Sequence, residues 1–198
     1  MRFPASAALI LLGATACGGG PHAPPQPGQS LGVPPDLRGQ KVMLLPVQQL
    51  LGVPPEVDAE LAFALESRSR DVDWILPARL ERAVRGAPGI RTGVRGLGVG
   101  MFLRAEVRRV GDPLYGQLRR LAALVDAVAA LVPIQAEAVT TESGERALRV
   151  SAALIDVRTG RVMWFGVEEG ETGEAGDPGA LASMADALAR TLLWYARP

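Results

Sequence analysis

The chain has 198 residues, of which 48% are hydrophobic, so it can bury a sizeable core within one compact domain. Its 21 basic and 21 acidic side chains give a formal net charge of zero, which argues against binding to nucleic acid or electrostatic binding to a membrane. Cys17 is the only cysteine and His22 the only histidine. The rest of the chain therefore lacks the residues for Ser-His-Asp or Cys-His catalysis and for zinc sites built from His or Cys, and no cofactor or metal is expected.

The amino terminus has the three parts of an export signal. Arg2 is followed by an apolar run at residues 5–12 and by small residues at 13–16. The apolar run is far shorter than the roughly 20 residues that span a bilayer, so it is not expected to remain as a membrane helix. Residues 1–16 are therefore predicted to be a signal peptide that is removed.

The residues Ala14-Thr15-Ala16-Cys17 resemble the lipobox of bacterial lipoproteins, although Ala14 stands where leucine is usual. The resemblance implies cleavage before Cys17 and attachment of acyl chains such as palmitate to it. The alternative is an ordinary secretory signal that is cut after Ala16. A lone thiol in an exported protein is prone to oxidation, which favours lipidation. Gly18, rather than aspartate, follows the cysteine, which implies the periplasmic face of the outer membrane.

Proline and glycine dominate the residues that follow, and large apolar side chains are almost absent from them. Such a composition cannot form a core, so residues 17–38 are predicted to be a flexible tether behind the lipidated cysteine. Residues 39–198 are then predicted to be one periplasmic α/β domain.

Strands and helices alternate in the first half of this domain. The apolar run at residues 41–47 predicts a buried strand. The Pro-Pro-Glu at residues 54–56 predicts the start of a helix that continues to about residue 70 with one apolar face. Residues 72–76 predict a second strand, and Pro77 suits the first turn of another helix.

The second half begins with a segment that is harder to assign. Residues 86–100 are rich in glycine and are assigned to neither a helix nor a strand, and residues 101–110 fit either a strand or irregular structure. The later elements are a helix at 114–128, an extended run at 134–141, strands at 148–154 and 161–167 joined by a turn at 156–160, and a helix capped by Asp177. This order predicts an α/β fold: a single-domain sandwich with a mixed β-sheet flanked by helices, and a β-hairpin and a helix at its C-terminal end.

Four pieces of the sequence, together with the closing helix, resemble periplasmic lipoproteins related to the curli-secretion lipoprotein and to the amino-terminal domain of the TolB translocation protein. They lie at residues 42–46, 55–70, 72–77 and 154–164, the last containing Asp-Val-Arg-Thr-Gly-Arg-Val-Met-Trp. The resemblance implies association with the outer membrane and docking to envelope proteins, with no shared catalytic residues. Some relatives form secretion pores, but the arginines of residues 86–113 fit lipid exposure poorly, so no pore is expected.

Three groups of residues are candidates for function. The glycines at 93–100 lack the Gly-Lys-Ser/Thr of a phosphate loop, so a flexible loop is the favoured interpretation. Five acidic residues could act as paired carboxylates or bind Ca²⁺, although a solvated loop is the simpler explanation; they are Glu168, Glu169, Glu171, Glu174 and Asp177. Five arginines could form a basic patch that guides docking together with Glu168, Glu169, Glu171 and Glu174, or could be ordinary surface residues; they are Arg104, Arg108, Arg109, Arg119 and Arg120.

These features predict a non-enzymatic lipoprotein that binds or scaffolds an envelope complex, such as one for secretion or the cell wall. Its expected partners are the membrane, through the lipid anchor, and either an envelope protein or further copies of itself. Two alternatives stay open at this stage. One is a ring-forming export component, and the other is an envelope hydrolase that uses carboxylates alone.

Overall fold

The computed structural model describes residues 26–196. Because the signal peptide, Cys17 and His22 lie outside this range, the predictions made for them are not addressed by the fold. Within it the elements in chain order are β1 Gln29–Leu31, β2 Lys41–Leu44, β3 Gln49–Leu51, α1 Val57–Arg68, β4 Asp73–Ile75, α2 Pro77–Arg85, α3 Leu114–Val125, β5 Ala129–Thr140, β6 Arg146–Asp156, β7 Val162–Thr172 and α4 Pro178–Leu192.

One mixed sheet organises the described residues, as the sequence predicted. Its strand order is β1-β7-β6-β5-β2-β4, and β3 continues the line of β2 along β5. Strand β2 pairs in parallel with β4 and β5, and β3 pairs in parallel with β5. Strands β5, β6 and β7 form an antiparallel meander with β1 on its outer edge. The chain is therefore a single α/β domain in which a long hairpin forms one half of the sheet.

Helices α1 and α4, which we call the α1/α4 layer, cover one face of the sheet. Helix α1 buries Val57, Leu61 and Leu65, and α4 buries a longer stripe that includes Leu188. Asp177 caps α4 as predicted, since its carboxylate accepts a hydrogen bond from the Gly179 N–H at 2.9 Å. None of the helices in residues 26–196 is both long enough and apolar enough to span a membrane.

Helices α2 and α3 cover the opposite face together with residues 86–113, and we call this the α2/α3 layer. Residues 93–100, interpreted as a flexible loop, form no helix or strand, but apolar side chains within 86–113 are buried against the sheet, so this loop is packed rather than free. Phe102 is 2% exposed and stacks on Phe165 of β7, with ring centroids 5.7 Å apart. Residues 101–110 take the irregular alternative rather than the strand. Segment 86–113 is thus part of the core.

A glutamine side chain fixes the backbone of this irregular segment. Gln48 lies between β2 and β3, and its Nε2 donates to the Val94 carbonyl at 3.0 Å. Its Oε1 accepts from the Leu97 N–H, also at 3.0 Å. One side chain therefore satisfies two main-chain groups that a regular helix or strand would pair within itself.

The turn between β6 and β7 forms as the sequence predicted. Gly160 has a φ of +72°, and a Cβ there would lie 3.0 Å from the Val110 carbonyl oxygen, so the position requires glycine on two counts. Asp156 opens the turn by accepting from the Arg158 and Thr159 N–H groups, each at 2.9 Å. Burial alone would raise the pKa of Asp156, but these hydrogen bonds outweigh burial and hold it below its usual value.

The expected start of the domain is corrected. Strand β1 lies within residues 17–38, the range predicted as tether, and Leu37 is fully buried, so the folded domain begins earlier than expected. At the other end of the described chain, Trp194 is 59% exposed, although its ring meets Tyr195 edge-on. The Trp194 indole donates to the Pro34 carbonyl at 2.9 Å, so the two ends of the described chain hold each other.

Candidate functional site

The acidic residues at the end of β7 do not converge. Glu168, predicted as part of a surface, is only 8% exposed and faces the α1/α4 layer. Burial raises the pKa of Glu168, and a hydrogen bond with the Thr191 side chain partly opposes this. Glu169 is the next residue and points to the other face, where Arg149 binds it at 2.9 Å. Two consecutive strand residues necessarily face opposite sides, so these two carboxylates cannot act together.

The remaining acidic residues are held apart as well. Glu171 has an exposed side chain, and its main-chain N–H donates to Ser183 Oγ on α4 at 2.9 Å. Glu174 lies 3.6 Å from Arg146, and both side chains are largely exposed. Among residues 26–196, no group of three or more His, Cys, Asp or Glu side chains is placed to hold a metal ion. The acidic stretch therefore supplies neither a carboxylate pair nor a calcium cage.

The five candidate arginines lie on the α2/α3 side of the molecule, in segment 86–113 and in α3. Arg120 Nε donates to Thr92 Oγ1 at 3.0 Å, and Arg119 lies 5.6 Å from the centre of the Tyr115 ring. The other three are Arg104, bound to a main-chain carbonyl, Arg108, paired with an acidic neighbour, and Arg109, in a bridge to the residue before β7. Of the acidic stretch, Glu169 is on this face but is bound to Arg149, and Glu168 is buried on the opposite face. The five arginines and the acidic stretch therefore do not form one surface.

A row of charges crosses the hairpin where the α2/α3 layer ends. Glu137, Arg149 and Glu169 are neighbours in register on β5, β6 and β7, and each side chain is 26–29% exposed. Arg149 lies 3.6 Å from Glu137 and 2.9 Å from Glu169. Arg149 lies between the two carboxylates and forms an ion pair with each, so the charges of this row are paired with one another at this end of the sheet.

An exposed aromatic residue marks a groove on the other side, over α1. Phe63 is 69% exposed and stands out of phase with Leu61 and Leu65, which point into the core. The Phe63 side chain lines two cavities of about 720 and 430 Å³ on either side of it. The first runs toward the edge strand β4, and the second runs toward α4. We refer to this pair of cavities, separated by Phe63, as the α1 groove.

Phe63 was not among the residues predicted from the sequence to have a function. The signal was present, however, because an aromatic side chain two residues from each neighbouring core position lies on the solvent side of a helix. The interior wall of the larger cavity is Trp74 of β4, which is 7% exposed and whose indole Nε1 has no hydrogen-bond partner among the described residues.

No protein-family model matches the chain, and no curated protein matches it. Solved structures of similar shape include a PelC dodecamer from Paraburkholderia phytofirmans, 19% identical over 83% of this chain and 93% of that chain, with a TM-score of 0.46. They also include the lipoprotein GNA1162 from Neisseria meningitidis, 15% identical over 76% of this chain and 96% of that chain, with a TM-score of 0.42. Escherichia coli LpoB is 13% identical over 87% of this chain and 84% of that chain, also at 0.42. None of these likenesses reaches a TM-score of 0.5, so they assign the chain to no family.

Proposed function

We propose that the chain is a lipoprotein anchored in the outer membrane, whose periplasmic domain binds or holds an envelope protein without catalysing a reaction. The observation that carries this proposal is the order of the amino-terminal residues: a positive start, a short apolar run, four small residues and then Cys17. Acyl chains contribute roughly 0.8 kcal/mol for each buried CH₂, so two or three of them hold a protein firmly to a leaflet.

The start of the folded domain sets how far the domain reaches from that anchor. The Gly28 N–H donates to the Val167 carbonyl at 2.8 Å, so the chain joins the sheet from Gly28 onward. The step from residue 17 to residue 28 covers 11 residues, which span at most about 40 Å when fully extended. A domain on so short a connection works close to the membrane surface.

The placement of the carboxylates supports binding over the hydrolase alternative. That alternative needs carboxylates that converge in a cleft with a raised pKa. Glu168 has a raised pKa, but it is buried against α4, and Glu169 leaves from the opposite face of the sheet. The positions of these carboxylates therefore do not support the hydrolase hypothesis.

Cell fractionation tests the proposed location. In Cys17→Ser cells the mature protein should leave the membrane fraction, because the acylated residue is gone. In Gly18→Asp cells it should stay membrane-bound but move to the inner membrane, because aspartate after the cysteine is the sorting cue for retention. Ser30→Ala, at an exposed position of β1, is the matched control and should leave the distribution unchanged. A Cys17→Ser protein that fractionates like the unchanged chain would rule out the anchor.

Chemical crosslinking in intact cells tests the proposed role. The membrane-anchored protein is expected to crosslink to one defined envelope protein, and the Cys17→Ser protein should give less of that product. Crosslinked cells in which the anchored protein remains free, or forms only products that Cys17→Ser leaves unchanged, would contradict a docking role at the membrane.

A further inference from the structure

The larger cavity of the α1 groove lies at an edge of the sheet. Among residues 26–196, strand β4 pairs only with β2, and the Asp73 N–H donates to the Gln40 carbonyl on that side. The Trp74 N–H does not point to β2 and instead contacts the Val72 carbonyl at 3.1 Å. Main-chain groups of successive strand residues alternate in direction, so Trp74 presents its carbonyl along the free edge, beside the cavity.

The cavity combines apolar surface with a polar group that lacks a partner. Phe63 offers an exposed ring, and Trp74 forms the interior wall. The unpaired Nε1 of Trp74 is a donor, and a buried donor without an acceptor costs about 1–3 kcal/mol. Phe63 and Trp74 together make this side of the cavity apolar, which favours a ligand that carries an apolar side chain.

The charges around the cavity specify the ligand further. The acidic residues Glu66, Asp71 and Asp73 are among its lining residues, against one basic residue, Arg70. The Asp73 carboxylate is on the α2 side of the strand, 4.0 Å from Arg79, so Glu66 and Asp71 supply the negative charge of the cavity rim. The rim is therefore negative, and it favours a ligand with a basic side chain.

We infer that the α1 groove binds an extended segment of a partner protein that follows the β4 edge, places an apolar side chain against Phe63 and sets a basic side chain beside Glu66 and Asp71. This inference rests on the proposed binding function and names the surface that performs it. The segment adds to the sheet in the manner of a short extra strand, so that a main-chain N–H of the segment donates to the free Trp74 carbonyl.

The same charges disfavour a second copy of the chain as the occupant. If two copies met edge to edge at β4, the negative rim of one copy would lie close to the negative rim of the other. Like charges placed directly opposite each other across a strand pair destabilise it. The groove is complementary to a basic segment rather than to itself.

Selection from a displayed library of random short peptides on the purified mature chain tests the inference. Enriched peptides should pair apolar with basic residues and bind less tightly as the salt concentration rises. In NMR spectra the indole N–H signal of Trp74 should shift on binding, whereas that of the fully buried Trp164 should stay in place. A library that yields no binder, or that yields acidic peptides, would overturn the inference.

Matched variants locate the binding surface. Phe63→Ser should lower the affinity for the selected peptides about tenfold or more, because truncating an apolar residue at the centre of an interface has an effect of that size. Leu51→Ser removes an exposed apolar side chain from β3 and should leave binding within about twofold, because Leu51 lines neither cavity of the groove. Glu66→Lys should weaken binding, while Glu142→Lys, at an exposed position outside the groove, should not. Equal effects of Phe63→Ser and Leu51→Ser would contradict the proposed site.

These experiments distinguish failure of the groove proposal from failure of the anchor proposal. Peptide binding to the purified chain does not require acylation of Cys17, so it can be measured even if the anchor proposal fails. Conversely, if peptide binding depended on Arg149 rather than on Phe63, the α1 groove would not be the binding site. The proposal of a membrane-anchored binding protein would still stand.

Discussion

The two layers that cover the sheet bury apolar side chains by different means. In the α1/α4 layer, Leu181, Met184, Leu188 and Leu192 recur at helical spacing and enter the core together. In the α2/α3 layer, part of the covering is segment 86–113, which buries residues such as Phe102 without forming a helix or strand.

The difference lies in where the backbone finds its hydrogen bonds. A helix pairs its own main-chain groups, so its stability is encoded locally. Segment 86–113 uses short turns, such as the Phe102 N–H donating to the Val99 carbonyl at 3.0 Å, and the distant side chain of Gln48. The irregular layer therefore depends on tertiary contacts that the helical layer does not need.

The largest expected effect comes from removing the ring that fixes the irregular layer to the sheet. Phe102→Ala should lower the free energy of unfolding by about 3–5 kcal/mol, because it deletes a buried ring stacked on Phe165. Urea denaturation measures this value, with the half-buried Leu103→Ala as control. A loss below about 1 kcal/mol would mean that segment 86–113 is a loose covering after all.

Removing the glutamine that binds this segment should have the next largest effect. Gln48→Leu leaves the Val94 carbonyl and the Leu97 N–H without their partner, which should cost about 1–3 kcal/mol of stability. Hydrogen exchange should then accelerate in segment 86–113 more than in α4. Gln29→Ala, at an exposed position, serves as the control. Uniform acceleration across both layers would show that Gln48 does not act on this segment specifically.

A smaller effect is expected at the cap of the helical layer. Asp177→Ala removes the hydrogen bond to the Gly179 N–H and should destabilise the domain by about 1 kcal/mol. Asp177→Asn retains an acceptor oxygen and should recover most of this loss. Equal melting temperatures for the unchanged protein and both variants would contradict a stabilising role of the Asp177 cap.

The smallest effect is expected from the carboxyl group that the helical layer buries. The folded-state pKa of Glu168 is raised by burial, so the folded state holds this proton more tightly than the unfolded state. The contribution of Glu168 to stability is therefore fully present below its unfolded pKa and is lost as the pH rises through the folded pKa. Glu168→Gln should reduce the dependence of the unfolding free energy on pH in this range. Relative to the unchanged protein, the variant should therefore be more stable at neutral pH than at low pH. Parallel profiles for both proteins, measured by denaturation from pH 4 upward, would contradict the assignment.

The sequence predicted those elements whose signal is local. Helices α1 and α4, the hairpin turn at Gly160 and the cap at Asp177 all follow from spacing, proline, glycine or capping residues. The fold class followed from the order of these elements. Each of them satisfies its own main chain, so neighbouring residues suffice to identify it.

The features that escaped prediction are made by distant residues. Strand β1 exists because Gln29–Leu31 pairs with β7, and residues 94–97 are held by Gln48 from another part of the chain. The same reason applies to the candidate surfaces. The sequence grouped arginines and glutamates by position, whereas strand alternation and the two layers separate them. Phe63 could have been found from its helical phase, but the free β4 edge beside it could not.

Mass spectrometry of the mature protein purified from the cell envelope tests the central claim most directly. The account predicts a chain that begins at Cys17 and carries the added mass of a lipid on that residue. A mature chain that begins at Cys17 with an unmodified thiol would contradict it.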